Sequence, residues 1–351
     1  MQHILHDHDM NRSSPHRIAR IKREAVLSMV CLVLLGWAAF GRGSEAVKQK
    51  INSSRMTSFP DPGLLSAVAA AVGKPGGESS TADLSRLETL EARGRGIKNL
   101  AGLECCSALV RVDLSDNQLT DLSPLASLRN LAILDLSENP LSDISPLAGL
   151  PRLAVLWLQK TEVSDISTLV RCKDLSLLNL SWTRVSDLSK LVDLKNLSVL
   201  IMAGNNLQDL SRVKELKHLT QLYLGANNIT DISPLCGMKE LTVLHLGNNR
   251  ISDIACLAGL TGLRKLYLWG NQVSDLSPLA SLGELTLLHL GRNRISDLEP
   301  IVQNVERRGP RFSLVLYLYD NPLSEKAKNE QVPRLLKKGV AVLSLPEESY
   351  Y

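Results

Sequence analysis

Residues 131–147 read LAILDLSENPLSDISPL, and residues 263–279 read LRKLYLWGNQVSDLSPL. Leucine, asparagine, aspartate and proline stand at the same places in both segments, and the phrase recurs every 22 residues between Leu109 and Leu298. The residues at the asparagine position of successive units are Asn117, Asn139, Thr161, Thr183, Asn205, Asn227, Asn249, Asn271 and Asn293. Arg95 precedes them by one period and Asn321 follows after 28 residues, so eleven units are recognisable.

A 22-residue period with the pattern L-x-x-L-x-L-x-x-N-x-L is the signature of a leucine-rich repeat. The L-x-L portion predicts a short strand with both leucines facing inward. The asparagine turns the chain, and its amide can bond backbone groups of its own unit and of the next one. The proline of the following D-[IL]-x-P-L phrase prevents a long helix, so the return segment should be 3₁₀ or extended.

The domain organisation follows from the stacking of these units, because no unit can bury its own leucines. We predict an α/β solenoid: a right-handed, curved leucine-rich repeat array with a parallel β-sheet on the concave face, a 3₁₀ or extended convex side, and helical N- and C-terminal caps. The predicted ranges are 59–89 for the N-terminal cap, 90–323 for about 11 repeats and 324–351 for the C-terminal cap.

Composition agrees with an aliphatic solenoid and excludes one class of partner. Of the 351 residues, 44% are hydrophobic but only 4% are aromatic, so the core must be aliphatic. The net charge is +4, and residues 1–43 alone hold six Lys or Arg against three Asp or Glu. The rest of the chain is therefore nearly neutral, which argues against nucleic acid as a partner.

Residues 1–46 have the layout of a signal peptide. A polar, basic start (1–24) precedes an apolar run (25–40) and then small residues. An N-terminal membrane anchor is the alternative, because about 17 apolar residues is the lower limit for crossing a bilayer. Residues 47–58 form a linker. The expected location is the periplasm, the cell envelope or the medium, and contact with a membrane is expected only if the leader stays uncleaved.

The two ends of the array carry helix signals instead of the repeat. Asp61 is placed as an N-cap, Pro62 as the first helical residue and Gly73 as the stop. The face of this helix that covers the first unit is expected to consist of Leu64, Leu65, Val68 and Val72. At the other end, residues 301–311 predict a short helix or loop. Further on, Ser324 should cap a helix that runs through Gln331, Pro333 should open another, and a strand should span 340–344.

The concave face is the predicted binding surface. In each L-x-L strand the side chain between the leucines points away from the core, and the flanking positions lie beside it. The candidate partner-binding residues are Trp157, Asn179, Ile201, Tyr223, His245, Tyr267, Trp269, His289, Tyr317 and Tyr319. Strand preference alone can place aromatic residues on a sheet. It does not explain why the buried positions of the same strands hold none, so we favour a partner surface of exposed aromatic and aliphatic residues.

We expect charge to orient a partner along this face, because acidic residues gather toward the first units and basic residues toward the last. The expected partner is a protein, with a glycan as the alternative. The acidic residues are Glu91, Asp113, Asp116, Asp135 and Glu138, and the basic ones are Arg250, Lys265, Arg292 and Arg294.

Catalysis, metal binding and cofactors are not expected. His245 and His289 lie two units apart, about 10 Å by strand spacing, which is too far to share a metal ion. The repeat geometry also keeps Ser, His and Asp in separate rows, so no nucleophilic triad forms. We therefore predict a non-enzymatic protein without a cofactor.

An aspartate recurs before the return segment of each unit. A column of carboxylates could bind calcium, but a cap on the following turn explains each aspartate singly and is favoured. The column is Asp121, Asp143, Asp165, Asp187, Asp209, Asp231, Asp253, Asp275 and Asp297.

Cysteine usage does not indicate a disulfide framework. Five cysteines lie beyond the leader. Cys106 and Cys172 replace leucines and should be buried. Cys236 and Cys256 lie in adjacent units near the return side, and their pairing is left open.

The units resemble the 22-residue repeats of bacterial internalin-like proteins, in which N-x-[IL]-x-D-[IL]-x-P-L is typical. The likeness runs from Phe59 to about Leu343 and includes 59–61 (FPD), 102–104 (GLE) and 321–324 (NPLS). The resemblance implies a protein-binding scaffold of the cell envelope or exterior, here without the usual immunoglobulin-like module or wall anchor. The leucine-rich regulatory subunit of protein phosphatase 1 has a similar repeat, so an intracellular phosphatase-regulatory scaffold is the alternative function.

Overall fold

The computed structural model describes residues 59–74, 80–309 and 312–343. The predicted leader or anchor (1–46) and the linker (47–58) lie outside these ranges, as do the last eight residues of the predicted C-terminal cap. Within the three ranges, no helix combines the length and the apolar character needed to cross a membrane.

In the described part of the chain, twelve strands of three residues form one parallel sheet, and neighbours along the chain are neighbours in the sheet. The strands are β1 Thr89–Glu91, β2 Arg111–Asp113, β3 Ile133–Asp135, β4 Val155–Trp157, β5 Leu177–Asn179, β6 Val199–Ile201, β7 Gln221–Tyr223, β8 Val243–His245, β9 Lys265–Tyr267, β10 Leu287–His289, β11 Val315–Tyr317 and β12 Ala341–Leu343. The middle residue of each strand points inward, so Leu134 and Leu266 are fully buried. The predicted leucine-rich repeat solenoid is confirmed.

The return side consists of short 3₁₀ segments, as the recurrent proline predicted. They are Leu103–Cys105, Ser123–Ser127, Ser145–Gly149, Ser167–Arg171, Ser189–Asp193, Val213–Glu215, Ser233–Leu235, Ala255–Gly259 and Ser277–Ser281. Each segment sends one fully or almost fully buried aliphatic residue to the core, such as Leu147 or Leu279. Cys106 and Cys172 are fully buried, which confirms their prediction as leucine substitutes. Burial raises the pKa of these two thiols to about 12 and about 11, respectively.

In most units, hydrogen bonds from the asparagine side chain hold the turn in its shared geometry. The Nδ2 of Asn139 donates to the carbonyls of Leu136 (3.0 Å) and Leu114 (3.0 Å), and its Oδ1 accepts from the Leu119 N–H (3.0 Å). Leu114 and Leu119 belong to the preceding unit, so the prediction of bonds to the next unit was wrong in direction. The reason is that the backbone of each turn is hydrogen-bonded by the asparagine of the following unit, as Asn139 bonds Leu114 and Leu119 of the unit before it.

The aspartate column caps the return segments. Each of the nine carboxylates accepts the backbone N–H two residues later, at 2.7 to 3.2 Å. The second carboxylate oxygen of Asp121, Oδ2, also accepts the Ser123 hydroxyl (2.8 Å), and the two hydrogen bonds lower the pKa of this carboxyl. The capping interpretation is confirmed.

At the N-terminus, helix α1 (Pro62–Ala71) covers the first unit. The Asp61 Oδ1 accepts the N–H groups of Gly63 (2.9 Å) and Leu64 (3.1 Å), as predicted for an N-cap. The Asp61 Oδ2 accepts the N–H of Lys98 (2.8 Å) in the first unit, so one carboxylate ties the helix to the array. The short helix α2 (Thr81–Leu84) then leads into β1.

The predicted apolar face of α1 was partly wrong. Leu64 and Val68 are buried, but Leu65 is 46% exposed, and Ala67 packs on the core instead. Neighbouring residues of a helix lie about 100° apart. A narrow contact with the small first unit therefore cannot bury both Leu64 and Leu65.

At the C-terminus, the six extra residues form part of helix α3 (Glu299–Glu306). A π-helical turn (Ala327–Gln331) then continues directly into α4 (Val332–Lys337), so the two separate helices predicted around Pro333 are one. Gln331 is fully buried, and its side-chain Oε1 accepts a hydrogen bond from the Leu298 N–H (2.8 Å). This bond anchors the helix to the last repeats, and β12 then extends the sheet.

Candidate functional site

The register of the sheet brings the predicted concave residues into one row. Trp157 pairs with Asn179 and Asn179 with Ile201, and the row continues through Ile201 and Tyr223. The following pairs join Tyr223 to His245, His245 to Tyr267, Tyr267 to His289, and His289 to Tyr317. Parallel in-register strands thus place one residue of each unit beside its equivalent in the next.

The last five members of this row, Tyr223, His245, Tyr267, His289 and Tyr317, form what we call the aromatic row. Their ring centroids lie 6.3, 5.0, 6.4 and 4.7 Å apart in chain order, with interplanar angles of 11 to 34°. Roughly parallel rings at these distances attract one another through stacking. The row is a continuous ring stack across five strands, whereas the sequence predicted only that these aromatic side chains are exposed on one face.

A second aromatic column lies beside the row and depends on glycine. A Cβ atom added at Gly247 would lie only 2.3 Å from the nearest atom of the Trp269 ring. One added at Gly291 would lie only 2.5 Å from the nearest atom of the Tyr319 ring. Tyr319 meets His289 edge to face at 5.4 Å. Glycine 22 or 28 residues before an aromatic residue is a signal that sequence reasoning could have used, because it marks a slot for the ring.

Substitution Gly247→Ala should therefore lower the free energy of unfolding by about 2 kcal/mol, because the new methyl group collides with the Trp269 ring. The displaced ring should also change the near-ultraviolet circular dichroism of the protein. Gly237→Ala is the matched control, since a Cβ there meets no atom within 4 Å, and its effect should stay within about 0.5 kcal/mol. Equal unfolding midpoints for the two variants would rule out the slot.

The predicted site residues differ in how much surface they present. Trp157, Ile201, Tyr223 and Tyr267 are half-buried. Three others are buried: Asn179 (7% exposed), Tyr317 (8%) and Tyr319 (9%). The Asn179 Oδ1 accepts the Ser181 N–H at 2.9 Å, so this side chain is held within the sheet. Stacking covers the ring faces of the aromatic row, and its members offer mainly their edges.

The aromatic row is uncharged at neutral pH. Burial lowers the pKa of both His245 and His289 to about 4, and the nearby charge of His245 adds to the effect at His289. Burial also raises the pKa of Tyr223 to about 12. The Nδ1 of His289 is buried and has no hydrogen-bond partner in the described part of the chain. The row is therefore a neutral, weakly hydrated strip on the concave sheet.

Charged residues flank the row, but several pair with each other. Toward the first units, Glu91 pairs with Arg111 (3.5 Å), and Glu138 pairs with Lys160 (3.0 Å). Burial raises the pKa of Asp135, and the Asp113 charge on the neighbouring strand adds to this effect. At the far end Arg292 contacts Asp320 (3.3 Å). These ion pairs weaken the separation of charge that the sequence predicted.

A groove on the rim contains the one exposed tryptophan among the described residues. Trp182 is 49% exposed, has φ +56° and lies against the backbone of Gly204. The groove beside it, of about 610 Å³, is lined by charged and hydroxyl groups, including Lys160 and Arg184. Thr161 and Thr183, which also line the groove, stand at the position that asparagine occupies in most other units. This groove is separate from the aromatic row.

Within the described ranges, no group of three or more His, Cys, Asp or Glu side chains is placed to hold a metal ion. His245 and His289 are separated by the Tyr267 ring in the stack. The arrangement is a row of stacked rings on the concave sheet.

Comparison with known proteins agrees with the geometry. A family model described as leucine-rich repeats (2 copies) matches residues 129–171, 195–237, 217–259 and 261–303. Internalin H of Listeria monocytogenes is 32% identical over 105 residues, which cover 27% of this chain and 19% of that protein. The matched segment is thus about a fifth of that relative's length.

Two solved structures from Listeria monocytogenes are similar over longer stretches. An internalin C2 shares 34% identity with a TM-score of 0.59, and the match covers 64% of this chain and 100% of that one. An internalin F shares 26% identity with a TM-score of 0.61, over 83% of this chain and 96% of that one.

Proposed function

We propose that this chain, which belongs to the internalin-like leucine-rich repeat proteins, is a non-catalytic scaffold that binds a protein partner on its concave face. Leucine-rich repeat proteins of the internalin type are protein-interaction scaffolds. The aromatic row, with Trp157 and Ile201 further along the same sheet, is the proposed contact surface. We also propose export, supported by the basic start and apolar run of residues 1–40.

The observation that carries this proposal is the aromatic row itself. Tyrosine and tryptophan dominate binding energy in protein interfaces, because each buries a large area with few rotatable bonds. In this chain the rings of Tyr223, His245 and Tyr267 hold one another in place. A surface that is ordered before binding loses little conformational entropy when the partner arrives.

Ring orientation favours a protein over a glycan as the partner. A sugar packs its C–H groups on the open face of an aromatic ring. In the aromatic row those faces are occupied, since Tyr267 stacks on His245 at 5.0 Å and Tyr317 on His289 at 4.7 Å. Ring edges and the hydroxyl of Tyr223, which bonds the Gln221 side chain at 3.0 Å, suit the mixed apolar and polar surface of a polypeptide.

The test compares partner capture by the wild type and by the triple variant Trp157→Ala, Tyr223→Ala and Tyr267→Ala. The immobilised chain is offered extracellular proteins, captured proteins are quantified by mass spectrometry, and the enriched one is purified for calorimetry. We expect the triple variant to bind it about 100-fold more weakly, because it removes the rings that make the contact. Loss of the Tyr267 stack should cost a little stability, so circular dichroism verifies folding.

The matched control is a triple variant of the convex side, Lys190→Ala, Lys214→Ala and Glu240→Ala, whose side chains are all exposed. It should bind with wild-type affinity. Wild-type affinity in the concave variant, or a loss confined to the convex variant, would overturn the proposed site. Sequencing the N-terminus of chain recovered from the producing cells separates export from the phosphatase-regulatory alternative, since an intact cytosolic chain would favour the latter.

A further inference from the structure

Two cysteines face one another across adjacent units on the convex side. Cys236 directly follows the 3₁₀ segment Ser233–Leu235 and is exposed, while Cys256 lies in the next 3₁₀ segment, Ala255–Gly259, and is half-buried. Both are free thiols. The proposed partner surface lies on the opposite side of the sheet, so the concave face does not account for this pair.

The two residues converge on a single carbonyl group. The Cys236 N–H donates to the Ser233 carbonyl oxygen at 3.1 Å, and the Cys256 thiol donates to the same oxygen at 3.9 Å. The Cys236 side chain also hydrogen-bonds the Cys256 side chain, so the two sulfur atoms are neighbours in the folded chain. A disulfide requires neighbouring cysteines of this kind, with Cα atoms about 4.4 to 6.8 Å apart.

We propose that Cys236 and Cys256 form a redox modification site, in which a small disulfide oxidant such as oxidised glutathione converts the pair into an inter-repeat disulfide. In the first step the Cys236 thiolate attacks one sulfur of oxidised glutathione, which gives a mixed disulfide and releases one glutathione. In the second step Cys256 attacks the Cys236 Sγ and expels the second glutathione. The two cysteines lose two electrons and two protons, and both glutathione molecules leave as thiols.

The order of these steps follows from the surroundings of the two thiols. Burial raises the pKa of Cys256 above its usual range, and the neighbouring Cys236 thiol adds to this by hydrogen bonding and by its charge. Cys236 is the exposed member, so it meets the oxidant first. Cys106 and Cys172 are fully buried and their pKa values are also raised, so they do not compete.

The disulfide would link, on the convex side, the two units that carry Tyr223 and His245. These two units stack their rings on the concave side, so a disulfide on the convex side fixes the spacing of the same pair of units from both faces. Cross-linking also reduces the freedom of the unfolded chain. Oxidation should therefore raise the melting temperature of the solenoid by about 5 °C.

The experiment treats the purified full chain with oxidised glutathione, blocks the remaining thiols under denaturing conditions, and digests with trypsin without reduction. Peptides 218–239 and 251–264 contain one cysteine each, Cys236 and Cys256. We expect them to appear as one cross-linked species, with a higher melting temperature that dithiothreitol reverses. Because Cys236 is exposed, Cys236→Ser should fold normally, yield no cross-link and show no thermal response to the oxidant.

Three outcomes would overturn the proposal. One is a Cys236–glutathione adduct that persists without the cross-link in the folded protein. Another is a cross-link between two chains through Cys236. The third is a cross-link that forms only after urea unfolds the chain, because the folded geometry would then not bring the thiols together.

Discussion

Replacing Asn227 by alanine is expected to lower the free energy of unfolding by about 4 kcal/mol. Asn227 is 7% exposed and belongs to the turn of a central unit. Its Nδ2 donates to the carbonyls of Met202 (2.9 Å) and Leu224 (3.0 Å). Its Oδ1 accepts the N–H groups of Asn205 (2.9 Å) and Leu207 (3.0 Å).

The size of the effect comes from what the substitution leaves behind. Alanine removes every one of these bonds, and the backbone groups remain buried in the turn without water. Each buried polar group that loses its partner costs about 1 to 3 kcal/mol. The Oδ1 of Asn227 also joins its unit to the preceding one, so the loss weakens an interface between repeats as well as a single turn.

Urea unfolding monitored by circular dichroism measures this effect, and two variants bracket it. Asn196→Ala is the matched control, because Asn196 is exposed and its Nδ2 donates only to the Lys173 carbonyl (2.8 Å), so its effect should stay below about 0.5 kcal/mol. Asn227→Thr should cost about half as much as alanine. The array itself uses threonine at Thr161, whose hydroxyl donates to the Leu158 carbonyl (2.8 Å). An alanine effect no larger than the Asn196 control would exclude the asparagine turns as the main polar support.

The parts of the fold that repeat were predicted throughout, whereas the parts that occur once were predicted only in part. Leu134 and Leu266 stand at the same place in a recurring phrase, so one correct assignment of a face applied to every unit. Leu65 occurs once, and its burial depends on the width of the first unit rather than on its own sequence. In the same way, the continuation of the helix past Pro333 depends on contacts such as that of Gln331 with Leu298.

For the candidate site, the sequence predicts which residues belong to the aromatic row but not how their rings pack. Alternation along a strand predicts that Tyr223, His245 and Tyr267 share a face. It does not predict that their rings stack, because stacking depends on side-chain rotamers and on the spacing between strands. The glycine slots are different, since Gly247 and Trp269 stand one period apart and the pattern is visible in the sequence.

Acidification from pH 6.5 to pH 4 is expected to destabilise the protein by about 4 kcal/mol through His245 and His289 together, with the smaller share from His289, whose greater exposure to solvent screens its charge. Burial lowers the pKa of each imidazole from its ordinary value of 6.5 to about 4 in the folded chain. Between these values the unfolded chain binds protons that the folded chain does not. Stability is therefore complete above pH 6.5 and falls as the pH approaches 4.

Carboxylates act in a different window, so they can be separated from the histidines. The pKa values of Asp121, Asp165 and Asp187 are lowered below 3.8 by hydrogen bonds from the serines that follow them, and their stabilisation is lost only at still lower pH. Asp135 has a raised pKa, so its protonation favours the folded state and offsets a small part of the loss. The net fall between pH 6.5 and 4 therefore reports mainly on the two imidazoles.

Urea midpoints at pH 7, 5.5 and 4.5 test this expectation. The double variant His245→Phe and His289→Phe keeps a ring at each place in the aromatic row but cannot bind a proton, so its midpoint should change little over this range. His218→Gln is the control, because His218 is exposed and lies outside the row. The same pH profile in the wild type and the phenylalanine variant would show that the imidazoles are not the groups responsible. A flat profile in the phenylalanine variant alone would show that the stack keeps its own rings neutral, since each ring in the row shields its neighbour from water.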